Sequence, residues 1–110
     1  MEASDQPIQT RRLGSLVAHL IVGDGALDVA LDVRIETNEG ETYYLTFMTA
    51  EMITRQMKGY ESTGECSGGL YFWCSSLVVL RELDEDSVLQ AIQSLFDAGE
   101  LRSVAERIFP

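Results

Sequence analysis

The sequence contains very few of the residues from which catalytic and metal sites are usually built. Histidine occurs once, as His19, and the two cysteines, Cys66 and Cys74, are separated by seven residues. Structural zinc sites need several Cys and His ligands at short paired spacings, which this chain does not provide, so we predict no metal site. Two cysteines also do not make a disulfide framework. This favours a reducing, cytoplasmic compartment and leaves open whether Cys66 and Cys74 pair.

Catalytic groups are equally scarce. His19 lies inside an apolar strand pattern, and we interpret it as a structural or surface residue rather than a general base. Cys74 has no base beside it in the sequence, so we interpret it as a packing residue rather than a nucleophile. No glycine-rich loop is followed by the lysine of a phosphate-binding motif. The sequence therefore predicts a protein that is not an enzyme and needs no cofactor.

Basic residues are few in comparison with acidic ones. The chain has 8 Lys and Arg against 18 Asp and Glu, which gives a net charge of −10. Nucleic acid and anionic membranes repel such a surface, so neither is a predicted partner. Electrostatic steering would instead favour a basic protein. The apolar runs are much shorter than the ~20 residues of a transmembrane helix, and the acidic N-terminus does not have the pattern of a secretory signal.

The apolar residues that are present suffice for one globular core. The chain has 110 residues, of which 45% are hydrophobic, and this predicts a single domain over residues 1–110 with a flexible tail over residues 1–10. Three strands are predicted in the first half. The first is LGSLVAHLIVG, which ends at an Asp24–Gly25 turn. LDVALDVRIET follows with strict alternation, and TYYLTFMT comes after a second turn.

The second half is predicted to contain helices around one more strand. Thr49 caps a helix that ends at Gly59, and GYESTGECSGG is a flexible loop. Residues 77–83 form a central strand, Asp84 caps a helix that Gly99 ends, and ELRSVAERIF forms a last helix. The order β-β-β-α-β-α-α predicts an α+β fold. Its mostly antiparallel sheet has about four strands, with helices packed on one face.

Acidic side chains crowd the sheet face that this arrangement leaves exposed. Like charges two residues apart on a strand repel each other and contribute nothing to folding, so a basic partner explains them better than solubility and edge protection do. Aromatic residues often anchor interfaces, although we interpret most of residues 71–73 as core. The predicted partner-binding residues are Asp28, Asp32, Glu36 and Tyr44 on the sheet, Tyr60, Glu61 and Glu65 in the loop, and Trp73.

Residues 33–108 also follow a familiar pattern. VRIETNEGETYYLTFMTAEMI is followed by a loop, the apolar strand LVVLREL, the acid-started helix DEDSVLQAIQSLFDAGE and a terminal SVAERI. This order resembles small immunity proteins of bacterial polymorphic-toxin and contact-dependent growth-inhibition systems. Some related sequences carry a tryptophan in the final helix, where this chain has Ser103 and Val104. The resemblance implies neutralisation of a toxin domain, such as a basic nuclease, by tight binding without a cofactor.

Other functions remain open at this stage. The same acidic face would suit a phage- or host-encoded inhibitor that mimics nucleic acid and blocks a nuclease. A small-molecule-binding or enzymatic α+β domain would use His19, Tyr44 or Trp73 in a pocket. An assembly subunit would use the exposed sheet face to dimerise.

Overall fold

The computed structural model describes residues 8–21 and 30–108. Within these ranges the chain has six strands and four helices, and the predicted α+β class with its mostly antiparallel sheet is confirmed. The elements are β1 Ile8–Leu13, β2 Leu16–Ile21, β3 Leu31–Thr37, β4 Thr42–Thr49, α1 Ala50–Thr63, α2 Glu65–Gly69, β5 Leu77–Leu80, α3 Glu85–Asp97, α4 Leu101–Val104 and β6 Glu106–Ile108. None of the described helices is both long and apolar enough to cross a membrane.

The sheet is an antiparallel meander with two further strands on its far side. Strands β1 to β4 follow one another in chain order. Strand β5 pairs with β4 in parallel over Thr46–Thr49, and β6 pairs with β4 antiparallel over Thr42–Tyr44. Both therefore share the edge of β4 that β3 leaves free. The parallel pairing requires a crossover, which α1 and α2 supply.

The core lies between one face of the sheet and helices α3 and α4. Alternate residues of β2, β3 and β4 point to this face, as the period of two in a strand requires. They pack against Val88 and Ile92 of α3 and against Leu101 of α4. The strand residues of this cluster are Leu16, Ala18, Leu20, Leu31, Val33, Ile35, Tyr43, Leu45 and Phe47. Met48 and Met52 are also buried, outside this cluster, where the chain passes from β4 into α1.

Helix α1 extends beyond its predicted end. Thr49 caps it as predicted, since its hydroxyl accepts a hydrogen bond from the backbone N–H of Met52 at 3.2 Å. The helix continues through Gly59 to Thr63, and the prediction of a loop after Gly59 is wrong. One glycine inside a helix costs only about 1 kcal/mol, which the remaining turns outweigh. The helix ends at Gly64, whose φ of 86° is the left-handed conformation typical of this position.

The segment that follows α1 is strained and held against that helix. Cys66 and Ser67 have φ values of 50° and 55°, although left-handed backbone is unfavourable for residues with a Cβ. At Gly69, a Cβ atom would lie 2.3 Å from the carbonyl oxygen of Met57 in α1. Residue 69 therefore has to be glycine for α2 to pack this closely.

Two glycine substitutions separate close packing from helix propensity. We expect Gly69→Ala to lower the free energy of unfolding by about 1–3 kcal/mol, because the added methyl group meets backbone and φ is positive. The matched control is Gly59→Ala, where a Cβ has no neighbour within 4 Å, and which should stabilise α1 by about 0.5–1 kcal/mol. Urea unfolding of both variants measures the difference. Equal stability of the two would contradict the packing of α2 on α1.

Four other sequence predictions need correction. Residues 8–10 are part of β1 and not of a flexible tail, and the first strand predicted from Leu13 begins as β2 at Leu16, after a turn at Gly14 that separates it from β1. Residues 77–83 do not form a central strand, because β5 ends at Leu80 and lies at the edge of the sheet. The predicted last helix ends at Val104, and β6 follows it after the extended residue Ala105. The Asp24–Gly25 turn lies outside the described residues.

The helix signals around α3 are confirmed. Asp84 accepts a hydrogen bond from the backbone N–H of Ser87 at 2.8 Å, as an N-cap does. Gly99, with a φ of 74°, follows the end of the helix.

Candidate functional site

Three of the predicted partner-binding residues lie on the sheet face opposite the core. Asp32 and Glu36 of β3 and Tyr44 of β4 alternate with buried core residues. We call this surface the polar sheet face and define it by His19, Asp32, Arg34, Glu36, Tyr44 and Thr46. The predicted Asp28 lies outside the described residues.

One row of cross-strand neighbours runs over this face. His19 is in register with Arg34, and Arg34 with Tyr44. Thr10 of β1 continues the row on one side and Glu106 of β6 on the other. Directly opposite residues on one face of a sheet are close enough to interact, so the row couples five strands through polar side chains.

His19 is held in place through both ring nitrogens. Its Nδ1 lies 3.1 Å from the hydroxyl of Thr10, and its Nε2 lies 3.0 Å from a carboxylate oxygen of Glu36. The hydrogen bond from His19 lowers the pKa of Glu36, and the charges of His19 and Arg34 act in the same direction. This arrangement orients the imidazole as a structural group on the sheet, and it occupies both nitrogens.

Asp32 accepts a hydrogen bond from Thr46 and lies close to the phenol of Tyr44. Thr46, which is only 8% exposed, donates this hydrogen bond at 3.1 Å. Burial raises the pKa of Tyr44, and the nearby carboxylate of Asp32 raises it further. Asp32 therefore provides an acceptor for the hydroxyl of Thr46, which folding removes from water, and this is a role in stability.

The acids of β3 form hydrogen bonds within the fold, so the expectation that they contribute nothing to folding is wrong. Arg34 lies between Asp32 and Glu36 on the same strand, and its charge acts on Glu36 and on Tyr44. The Nε atom of Arg34 is buried and has no hydrogen-bond partner in the described part of the chain. Sequence reasoning missed His19, Arg34 and Thr46 as members of this network, although the alternation around Arg34 places it on this face.

A second exposed surface follows α2. We call residues 70–73 the aromatic segment. Leu70 is 78% exposed, Tyr71 48% and Trp73 71%, so the interpretation of these aromatics as mostly core is wrong. Side chains of this size rarely stay in water as a contiguous group unless they bind something. Sequence reasoning singled out Trp73 and missed Leu70, which the two glycines before it could have indicated.

The aromatic segment ends beside the polar sheet face. The hydroxyl of Ser75 lies 3.4 Å from a carboxylate oxygen of Glu106, which is the cross-strand neighbour of Tyr44. Trp73 is thus two residues from a group that contacts the polar row. The two surfaces therefore approach each other at Ser75 and Glu106.

The remaining predicted residues belong to helices instead of a loop. Tyr60 and Glu61 are in the last turns of α1, and Glu65 begins α2. Burial raises the pKa of Tyr60, and the electrostatic effects of Cys66, Glu65 and Cys74 raise it further. Tyr60 and Glu65 help line a groove of about 370 Å³ along α1. Both cysteines are free thiols.

Glu41 forms a third cluster, where α4 and β6 meet the β3–β4 turn. The hydroxyl of Tyr43 donates to Glu41 at 2.9 Å, and the guanidinium groups of Arg102 and Arg107 lie 2.9 and 3.3 Å from its oxygens. The hydrogen bond from Tyr43 and the charges of both arginines lower the pKa of Glu41. This cluster anchors the end of the chain to the sheet and is structural.

The Glu41 cluster predicts a loss of stability in acid. A carboxyl whose pKa is lower in the folded state stabilises the fold above its ordinary value of 4.5, and this contribution disappears as pH falls through the folded value. We expect Glu41→Gln to lower the urea midpoint at pH 7, and the difference from the wild type to shrink as pH falls below 4.5 and through the lowered pKa of the folded state. Glu39→Gln, in the same turn and exposed, is the control. A constant difference between Glu41→Gln and the wild type over this range would contradict the assignment.

The described residues contain no group of three or more His, Cys, Asp and Glu side chains arranged to hold a metal ion. Comparison of the chain with profiles of protein families, with curated proteins and with solved structures gives no match. The resemblance to immunity proteins therefore stays a prediction, and the polar sheet face and the aromatic segment are the surfaces available for a function.

Proposed function

We propose that this chain is a non-enzymatic, acidic binding protein that acts in the cytoplasm. In this proposal it neutralises a toxic basic protein by tight binding, as immunity proteins of bacterial toxin systems do. The observation that carries the proposal is the aromatic segment, which exposes large apolar side chains on a chain with a net charge of −10.

The aromatic segment provides the affinity. Tryptophan and tyrosine are enriched among the residues that dominate protein interfaces, because they bury a large area with little loss of side-chain freedom. Trp73 and Leu70 are exposed here, so a partner can remove them from water without first disrupting the core. An apolar contact ringed by polar residues is also the usual anatomy of an interface.

The negative charge of the chain increases the association rate and favours a basic partner. A chain with 18 acids and 8 basic residues attracts a basic protein over the distance of the Debye length. Nucleases are typically basic at the surface that binds nucleic acid, because positive charge attracts the negatively charged phosphates. Glu106, the cross-strand neighbour of Tyr44, contacts Ser75 two residues after the aromatic segment, so attraction also orients the two proteins for docking.

Co-expression with toxin genes tests this function. The chain is produced in bacteria together with the product of the gene that neighbours its own, and survival is compared with cells that carry the toxin alone. We expect protection and a stable complex. A toxin that kills equally in both strains, together with the absence of a complex, would overturn the proposal.

The ionic-strength dependence of association tests its electrostatic part. We expect the association rate with the basic partner to fall by about tenfold or more between low and high salt, because exposed charges are screened. The dissociation rate should change much less. An association rate that does not depend on salt would remove electrostatic steering from the proposal. Competition with duplex DNA for a nuclease partner would distinguish mimicry of nucleic acid from binding at another site.

A further inference from the structure

The edges of the sheet are protected unequally. Strand β1 carries Arg11 and Arg12, and β6 carries Glu106 and Arg107. Charged side chains on an edge strand are a common device against unwanted pairing with other chains. Strand β5, Leu77–Leu80, reads LVVL and carries no charge, proline or glycine. Among the described strands, this is the edge that lacks the usual protection.

The backbone of β5 presents hydrogen-bonding groups at this edge. The N–H of Thr46 in β4 donates to the carbonyl oxygen of Ser76 at 2.9 Å, immediately before β5 begins. In a parallel pair, alternate residues direct both backbone groups to the same neighbour. Val78 and Leu80 therefore face β4, and the N–H and C=O groups of Leu77 and Val79 point outward. Within residues 8–21 and 30–108, no strand pairs with that side of β5.

There is also room for side chains on both faces of an added strand. On the polar side, Val79 is in register with Met48 and is 53% exposed. On the core side, a groove of about 460 Å³ opens beside the end of β5. Its walls are residues 80–82 and the small side chains Ser87, Ala91 and Ser94 of α3, together with Gln90. Alternate side chains of an extended strand point to opposite faces and would meet both surfaces.

From these observations we propose that β5 binds an extended segment of a partner protein by β-strand addition. The inference rests on the proposed function, and it names the way in which the partner is held. Backbone hydrogen bonds to Leu77 and Val79 would fix the segment, and the groove beside α3 would select its side chains. The exposed Trp73 lies four residues before β5 and would contact the same partner.

The charges around this edge indicate a basic segment. Glu82 lines the groove beside β5 together with Arg81, and Glu106 contacts Ser75 just before β5. A second copy of this chain would carry the same net charge of −10, and two such copies repel each other. The occupant is therefore an extended, positively charged stretch of another protein.

A displayed library tests the inference without knowledge of the partner. Random linear peptides of about twelve residues, long enough to span β5 when extended, are selected on the full-length protein. We expect enrichment of peptides that carry Lys or Arg and alternate apolar residues. Their affinity should fall by about ten- to a hundredfold for Val79→Pro, which removes an outward N–H, and hardly at all for the control Val79→Thr.

Two further measurements keep the wild-type protein intact. Two versions of a selected peptide are compared, one N-methylated at its odd-numbered residues and one at its even-numbered residues. One version should lose binding and the other should bind almost normally, because only one of the two sets of N–H groups faces β5. Hydrogen exchange at the Val79 amide should slow by at least about tenfold in the complex. The inference would be overturned if no peptides are enriched. It would also be overturned if the affinity of the enriched peptides changes neither on N-methylation nor in Val79→Pro. Sedimentation showing a wild-type dimer that Val79→Pro converts to monomer would overturn it as well.

These outcomes can be distinguished from failure of the proposed function. If selected peptides bind β5 but the neighbouring toxin is not neutralised, the edge is a peptide site and the function is wrong. If the toxin is neutralised but its complex is unaffected by Val79→Pro, the function stands and the partner binds elsewhere.

Discussion

Replacing Trp73 with alanine is expected to weaken partner binding by about a hundredfold while leaving the fold intact. Trp73 is 71% exposed, so it contributes little to the core and its area remains available to a partner. Truncation of a tryptophan at the centre of an interface typically costs about 2–4 kcal/mol of binding energy, which corresponds to factors of about thirty to a thousand. Most of the loss should appear in the dissociation rate, because the charges that control association are unchanged.

Surface plasmon resonance with the purified partner measures both rates, and urea unfolding checks stability. The matched control is Phe96→Ala. Phe96 is also a partly exposed aromatic residue, at 38%, but it lies on α3 beside the Glu41 cluster. We expect the affinity of Phe96→Ala for the partner to differ from that of the wild type by less than about threefold. If both variants bind like the wild type, the aromatic segment is not the anchor, and if both lose affinity equally, the effect is not specific to it.

Reversing the charge of Asp32 is expected to lower stability rather than binding alone. In Asp32→Lys, the buried hydroxyl of Thr46 loses its acceptor, and a second positive charge is placed beside Arg34. Leaving a buried donor unpaired costs about 1–3 kcal/mol. The lost hydrogen bond and the repulsion between the new lysine and Arg34 act in the same direction. We therefore expect the free energy of unfolding to fall by about 2–4 kcal/mol.

Chemical unfolding of Asp32→Lys, Asp32→Asn and Glu36→Lys separates the two effects. Asp32→Asn retains an acceptor oxygen, so it should lose less than half as much stability as Asp32→Lys. Glu36 is exposed, and its reversal should instead slow association with a basic partner by about three- to tenfold. Should Asp32→Lys unfold at the same urea concentration as the wild type, Asp32 does not support Thr46 as described.

Several features could be predicted from the sequence because they depend on residues close together in the chain. The alternation in β3 places Asp32 and Glu36 on one face, since side chains in a strand change sides at every residue. Thr49 and Asp84 could be recognised as helix caps because a capping side chain bonds to backbone within its own first turn. The net charge of −10, and the preference for a basic partner that it implies, follow from composition alone.

Other features depend on which strands meet, and no local pattern contains that information. Residues 77–80 are apolar, which is typical of a central strand, but pairing with β4 leaves them at an edge. Residues 106–108 follow a helical pattern and instead form β6, because β4 offers unpaired backbone groups on the side where α4 ends. The tight contact of Gly69 with Met57 likewise exists only once α2 has folded against α1.

The candidate site divides in the same way. The sequence by itself determined the acidity of the chain, the strand face that carries Asp32, Glu36 and Tyr44, and the presence of an aromatic triplet after a glycine pair. Only the tertiary structure decided that Asp32 supports Thr46 across the sheet and that Leu70 and Trp73 stay exposed. The physical reason is that the exposure of a side chain depends on what the rest of the chain places over it. Residues distant in sequence set that covering, and local periodicity does not specify it.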